Sequence, residues 1–182
     1  MIFPTVENAL LTVVDLQAKL LPAMSESEKI IARSEIMIRG AVEMGLDIAV
    51  TEQYPKGLGS TLPELSTWLP DRVPVIEKNC FSVFGSPEFN KVLIQRKREV
   101  LIFVGVEMHV CLLQSVLDAL AAGYEVIVVG DAVGSRKNSD RDFAFEAARS
   151  AGAYILSSES VLFMLLRDSK NPHFKMVSGL IK

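Results

Sequence analysis

The run Val100-Leu101-Ile102-Phe103-Val104-Gly105-Val106-Glu107-Met108-His109-Val110-Cys111-Leu112-Leu113 changes its pattern midway. Its first five residues are apolar throughout, as a strand buried on both faces requires. Gly105 ends that run and a few mixed residues follow. Leu112, Leu113, Val116, Leu117, Leu120 and Ala121 then recur at helical spacing until Gly123. A strand that passes through a short turn into a helix is half of a crossover unit. It sets Cys111 close to a helix start, where unpaired backbone N–H groups and the positive end of the dipole favour a thiolate.

The same alternation continues in both directions. Leu10 to Val14 reads as a first strand ending at Asp15, Leu46 to Thr51 as a second and Val73 to Glu77 as a third. Glu125 to Val129 reads as a fifth, closed by Gly130-Asp131, and Ala153 to Leu156 as a sixth. Ser25 and Glu28 have capping-box spacing before a helix that Gly45 stops. Ser86-Pro87 opens a helix to about Lys97 as N-cap and first-turn proline. Ser139 and Asp142 have capping spacing at the helix Asp140 to Ala151, and a helix over Glu159 to Arg167 and an amphipathic C-terminal segment complete the chain.

Wholly apolar strands joined by helices predict a three-layer α/β/α, doubly wound fold around a six-stranded parallel sheet, with residues 1–182 as one domain. The long irregular stretch Glu52 to Arg72 is expected either to cover a site or to seal the core through Leu65 and Trp68.

The 182 residues, 49% hydrophobic and 23% charged, describe a globular chain with a sizeable core. A net charge of −3 without a basic stripe argues against a nucleic-acid partner, and Arg96-Lys97-Arg98 reads as a solvated helix end. No apolar run approaches the roughly 20 residues of a membrane span, and the opening residues lack the pattern of a secretory signal. The expectation is a cytoplasmic protein without a membrane partner, whose Cys80 and Cys111 are free thiols.

In open α/β sheets ligands bind beyond the carboxyl ends of the strands, where strand order reverses. Asp15, Thr51, Glu52, Gln53, Lys78, Cys111 and Asp131 all fall at that edge. A thiol at Cys111, a cation at Lys78 and a carboxylate at Asp15 make a coherent set. The thiolate attacks, the ammonium favours it, and the carboxylate takes the thiol proton and returns it to a leaving nitrogen. Backbone N–H groups before Cys111 would hold the oxyanion.

At these residues the chain resembles the isochorismatase-like cysteine hydrolase family. The matching pieces are Val14-Asp15-Leu16-Gln17, Glu77-Lys78-Asn79-Cys80-Phe81-Ser82-Val83-Phe84, Gly105 to Cys111, and Gly130-Asp131-Ala132-Val133-Gly134-Ser135-Arg136. Thr51-Glu52-Gln53-Tyr54-Pro55-Lys56-Gly57-Leu58-Gly59 is similar to the branch of isochorismatase domain-containing proteins. The resemblance implies strand order 3-2-1-4-5-6, a catalytic triad of Asp15, Lys78 and Cys111, and a cis peptide bond at Val106–Glu107 with the Glu107 and Cys111 amides facing the oxyanion. It also implies a small-molecule substrate and a homo-oligomer, a dimer or larger. Gln17, Gln53, Phe81 and Phe84 are the candidate pocket residues.

The departures refine this. Relatives that hydrolyse nicotinamide hold a metal through an Asp-x-His pair, but the matching stretch here is Thr51-Glu52-Gln53, and the chain's histidines are His109 and His173. No metal or other cofactor is expected. Met108 replaces a threonine common in relatives. Retention of Cys111 favours C–N hydrolysis over ether cleavage, which isochorismate-cleaving relatives often perform without the cysteine. The alternatives are an ether hydrolase without covalent catalysis and a non-catalytic binding protein. His109 is expected beside the site or at an interface rather than in a Cys–His dyad. Cys80 is expected as a packed thiol, and Asp131 as a cap on the turn after the fifth strand.

Overall fold

The computed structural model describes residues 2–182. β1 (Ala9–Val14), β2 (Asp47–Gln53), β3 (Val75–Lys78), β4 (Val100–Val106), β5 (Glu125–Gly134) and β6 (Tyr154–Leu156) form one parallel sheet in the order β3-β2-β1-β4-β5-β6. This is the expected doubly wound architecture. β1 and β4 are buried at every position, which explains why β4 is apolar throughout and β1 apolar except at Thr12.

Each face of the sheet has its own core. On one side Leu11, Val13, Ile102 and Val104 pack with α1 (Ser27–Met44), α7 (Ser158–Leu166) and α8 (Phe174–Ile181). On the other, Leu10, Val14, Leu101 and Phe103 pack with α4 (Pro87–Arg96), α5 (Leu113–Ala121) and α6 (Asn138–Ala151). The C-terminal segment thus buries Val177 against its own domain, and His173 Nδ1 meets Glu43 Oε1 of α1 at 3.0 Å. Among the described residues no helix is long and apolar enough to cross a membrane.

Several boundaries differ from expectation. β2 runs on past Thr51 through Glu52 and Gln53, and Lys78 is the last residue of β3 rather than the residue after it. β5 does not stop at Gly130-Asp131 but continues to Gly134, with a register shift against β4 between Phe103 and Gly105. Asp131 therefore lies inside the strand. Its carboxylate accepts from the Ser158 amide and hydroxyl, each at 2.7 Å, and so fixes the start of α7 rather than capping a turn.

Of the capping motifs, Ser86 accepts from the Phe89 amide at 3.3 Å as expected. The Ser25 and Ser139 motifs do not form. Glu26 and Lys137 occupy the N-cap positions, and the Ser25 hydroxyl instead donates to the Arg136 carbonyl at 2.9 Å. The stretch Glu52 to Arg72 is broken by two short helices, α2 (Pro55–Leu58) and α3 (Pro63–Ser66). Leu65 is fully buried and seals the core, while Trp68 stays part-exposed under the Arg39 guanidinium.

Thr12 sits in the middle of β1, fully buried, and its Oγ1 has no hydrogen-bond partner. An unbonded buried hydroxyl costs about 1–3 kcal/mol. Thr12→Val keeps the shape and removes that cost, so it is expected to raise the unfolding free energy by about 1 kcal/mol, read as a higher urea midpoint with an unchanged slope. A lower midpoint would mean that the hydroxyl is satisfied.

Candidate active site

The ends of β1, β2 and β3 and the turn after β4 converge on one carboxylate. Asp15 follows β1 with φ +54°, a backbone region that few non-glycine residues adopt. Its amide donates to the Thr51 carbonyl at 3.1 Å. Its Oδ1 accepts from the Thr51 hydroxyl at 2.7 Å and its Oδ2 from Lys78 Nζ at 2.7 Å. The side chains of Asp15 and Lys78 are completely buried, and such a pair persists only when further hydrogen bonds satisfy both ions.

Lys78 meets this condition. Besides Asp15, its Nζ reaches Gln53 Oε1 at 2.7 Å and the carbonyls of Phe81 and Cys80 at 3.2 and 3.3 Å. An ammonium has three hydrogens, and these four acceptors occupy them all. Lys78 is therefore a fixed charge with no N–H left for a ligand.

Cys111 lies in the turn Met108–Leu112, which is wider than an α-turn: the Leu112 amide reaches the Glu107 carbonyl, five residues back, at 3.2 Å. The sulfur is buried, and its pKa is pushed up to about 12. Burial is the largest cause, followed by the negative charge of Asp15. The Lys78 ammonium and a hydrogen bond from the Glu107 backbone amide pull the other way, and a hydrogen bond to Asp15 adds to the rise. These surroundings work against the thiolate that the helix start favours. The helix-start argument is local, and desolvation together with the neighbouring carboxylate outweighs it.

The Val106–Glu107 peptide bond is cis. The Glu107 carboxylate accepts from the Arg136 amide at 3.2 Å and from its Nε at 2.9 Å, which joins the turn to the end of β5. The Ser115 hydroxyl, one helical turn after Cys111, donates to the Cys111 carbonyl at 2.6 Å and accepts from the Val83 amide at 3.0 Å. It ties the cysteine turn to the loop whose carbonyls hold Lys78. Sequence reasoning missed Ser115 and Arg136 as neighbours of the site. The Cys111–Ser115 spacing of four on a helix was the available signal for the first.

The other candidates fall in varied places. Gln17 does not offer its side chain to a pocket: its Oε1 accepts from the Gln53 amide at 2.7 Å, and its Nε2 donates to the Gly59 and Gln53 carbonyls at 2.6 and 3.0 Å. Gln53 is occupied by Lys78 and by the Asn79 carbonyl. The Glu52 carboxylate is taken by the Thr61 amide and hydroxyl at 2.6 and 2.8 Å. Phe84 packs its ring against Phe89 and Tyr124, whereas Phe81 is exposed. Met108 is fully buried in the core. His109 Nδ1 meets the Ser135 hydroxyl at 2.9 Å, so it has a partner other than Cys111. Cys80 is a free, part-buried thiol whose carbonyl faces Lys78. Among the described residues, no group of three or more His, Cys, Asp or Glu side chains could hold a metal ion.

Comparison with known proteins agrees with this architecture. Residues 8–160 match the isochorismatase domain model. Isochorismatase domain-containing protein 1 of Danio rerio is 41% identical over 170 residues, which cover 92% of this chain and 59% of that protein. The MAR1 ribonuclease of Caenorhabditis elegans superposes with a TM-score of 0.93 at 40% identity, covering 98% of this chain and 91% of that one. YcaC of Pseudomonas aeruginosa, solved with hexane-2,5-diol and covalent acrylamide, gives 0.93 at 27% identity, covering 98% and 91%. The YcaC product of Escherichia coli, an octameric hydrolase of unknown specificity, gives 0.90 at 26% identity, covering 100% and 95%.

Proposed function

The chain belongs to the isochorismatase family of hydrolases, and from that membership we propose that it cleaves a small amide, ureido or related C–N bond through a thioester on Cys111. The observation that carries this reading is the fully buried Asp15 carboxylate, held from behind by Thr51 and Lys78 and near enough to the Cys111 thiol for its charge to push the thiol pKa up. A base so placed takes the proton as the sulfur attacks, so the thiol need not be ionised beforehand.

In the first half-reaction the Cys111 Sγ–C bond forms at the carbonyl and the thiol proton passes to Asp15. The carbonyl oxygen takes the negative charge and is met by the amides of Glu107 and Cys111. The C–N bond then breaks, Asp15 returns its proton to the departing nitrogen, and an amine and a thioester result. In the second half, water adds to the thioester and gives a proton to Asp15. The C–S bond breaks, the proton goes back to sulfur, and the acid leaves. Lys78 supplies a constant positive charge and takes no proton. No metal enters these steps, and the residues standing where an Asp-x-His pair would lie, Thr51 and Gln53, are already engaged with Asp15 and Lys78.

The covalent acrylamide in the Pseudomonas neighbour supports a site that accepts a small electrophilic amide. The ribonuclease name of another neighbour does not carry over, because a net charge of −3 without a basic stripe suits a small ligand better than a polyanion. The octameric neighbour supports self-association of this chain as well.

The test is a panel of small amides and ureides, with amine or ammonia release followed alongside intact mass. For at least one compound, release should accompany a transient acyl adduct that maps to Cys111. Turnover with no adduct on Cys111 at any time would point to direct attack of water and to the ether-hydrolase alternative. No turnover and no adduct across the panel would favour a non-catalytic binding protein.

A further inference from the structure

We propose that Thr51 and Gln53 are positioning residues, which hold the buried Asp15–Lys78 pair in the one arrangement that serves Cys111. The inference rests on the cysteine-hydrolase reading above. Both residues lie on β2 two positions apart, so their side chains leave the same face of the strand. Each grips one member of the ion pair.

Thr51 holds Asp15 at two points, through its carbonyl to the Asp15 amide at 3.1 Å and through its hydroxyl to Oδ1 at 2.7 Å. The first contact secures a residue in the left-handed region, and the second stops the carboxylate from turning about its own axis. Lys78 occupies Oδ2, so each oxygen has its own donor and the carboxylate has a single orientation toward the thiol. A valine at Thr51 would fill the same volume and leave Oδ1 without that donor.

Gln53 does the equivalent for Lys78. An ammonium only donates, so the atom of the Gln53 amide that faces Nζ at 2.7 Å must be oxygen, and Nε2 is then directed to the Asn79 carbonyl at 2.9 Å. Gln53 is itself anchored. β1 pairs with β2 only as far as Val14 and Thr51, and beyond that point the Gln17 side chain takes over as a backbone partner would. It accepts from the Gln53 amide and donates to the Gln53 carbonyl. Gln17 thus extends the ladder past the end of β1 and keeps Gln53 in register.

Neither residue is assigned a contact with substrate, so their effect should appear in the rate of the sulfur's reaction and not in binding. The probe is iodoacetamide at neutral pH on the intact protein, with Cys80 as internal reference and melting curves recorded in parallel. In that step the Sγ–C bond forms as the C–I bond breaks, iodide leaves, and the thiol proton passes to Asp15. Thr51→Val is expected to slow labelling of Cys111 about tenfold with Cys80 unchanged, because a small misplacement of a reacting group carries such losses. Thr51→Ser, which restores the hydroxyl, should return the rate to within about twofold, and Gln53→Leu should slow it about threefold.

A Thr51→Val protein that folds and labels Cys111 at the parental rate overturns the inference and leaves the hydrolase reading standing. If that variant does not fold, an unchanged rate in Gln53→Leu overturns it equally. Slow and equal labelling of both cysteines in the parent protein overturns the reading, and the inference with it.

Discussion

Asp15→Asn is expected to lower turnover about 10³- to 10⁴-fold, which is the loss of a general base together with the misplaced partner it leaves behind. Two further effects have opposite signs and make the result diagnostic. Removing the carboxylate charge strands the Lys78 ammonium in a site from which water is excluded, and breaking a buried pair from one side costs about 3–5 kcal/mol. The protein should therefore melt earlier. The Cys111 thiol should at the same time become easier to ionise. Asp15 pushes its pKa up both by charge and by a hydrogen bond, while Lys78 pulls it down. With Asp15 neutralised, the Lys78 pull remains and the midpoint for alkylation of Cys111 should fall below that of the parent protein. Lys78→Met removes the opposite charge, so it should not lower that midpoint. A variant with a readily ionised cysteine and almost no hydrolysis would separate the two roles of the carboxylate. Turnover within about tenfold of the parent would instead remove Asp15 from the chemistry.

Gly105→Ala should be the most damaging single substitution outside the ion pair. Gly105 has φ +116°, and a Cβ added there would lie 2.0 Å from the Val14 carbonyl oxygen, 2.8 Å from its carbon and 2.9 Å from its nitrogen. These are backbone atoms of the central strand, so no side-chain rotation relieves the clash. The strand pair β1–β4 must separate, or β1 must move and carry Asp15 with it. A loss of about 4 kcal/mol or more is expected, in the range reserved for substitutions that a structure cannot absorb. Chemical denaturation with parallel circular dichroism would measure it. A midpoint close to the parent's would show that β4 can withdraw from β1 at little cost. The close approach has a functional side: it lets the turn carrying Cys111 come within reach of Asp15, which a side chain at position 105 would prevent.

Much of the fold was legible in the order of residues. Apolar runs, interrupted in β1 only by Thr12, marked β1 and β4 as buried on both faces. Ser86-Pro87 marked a helix start that forms as expected, and Gly45 and Gly152 end helices with positive φ. The ends of β2, β3 and β5 were misjudged for one shared reason. Glu52, Gln53, Lys78 and Asp131 are polar, and polar residues at the end of an apolar run look like loop. In the fold they remain strand because each polar atom finds a buried partner from a distant segment: Thr61 for Glu52, Gln17 and Lys78 for Gln53, Ser158 for Asp131. Ser25 failed as a helix cap because the helix starts at Ser27, after Glu26 in the left-handed region, which leaves Ser25 outside the cap position with its hydroxyl donating to the Arg136 carbonyl.

By itself, then, the sequence determined the alternation of strands and helices, the parallel buried sheet, and which acid, amine and thiol stand at strand ends, since these depend on periodicity and on residue type. Only the tertiary structure decided the state in which those groups meet. Whether Cys111 rests as thiol or thiolate depends on how much water the fold removes from the sulfur and on charges brought from β1 and β3. Those contributions come from segments far apart in the chain, and local spacing around the cysteine does not contain them.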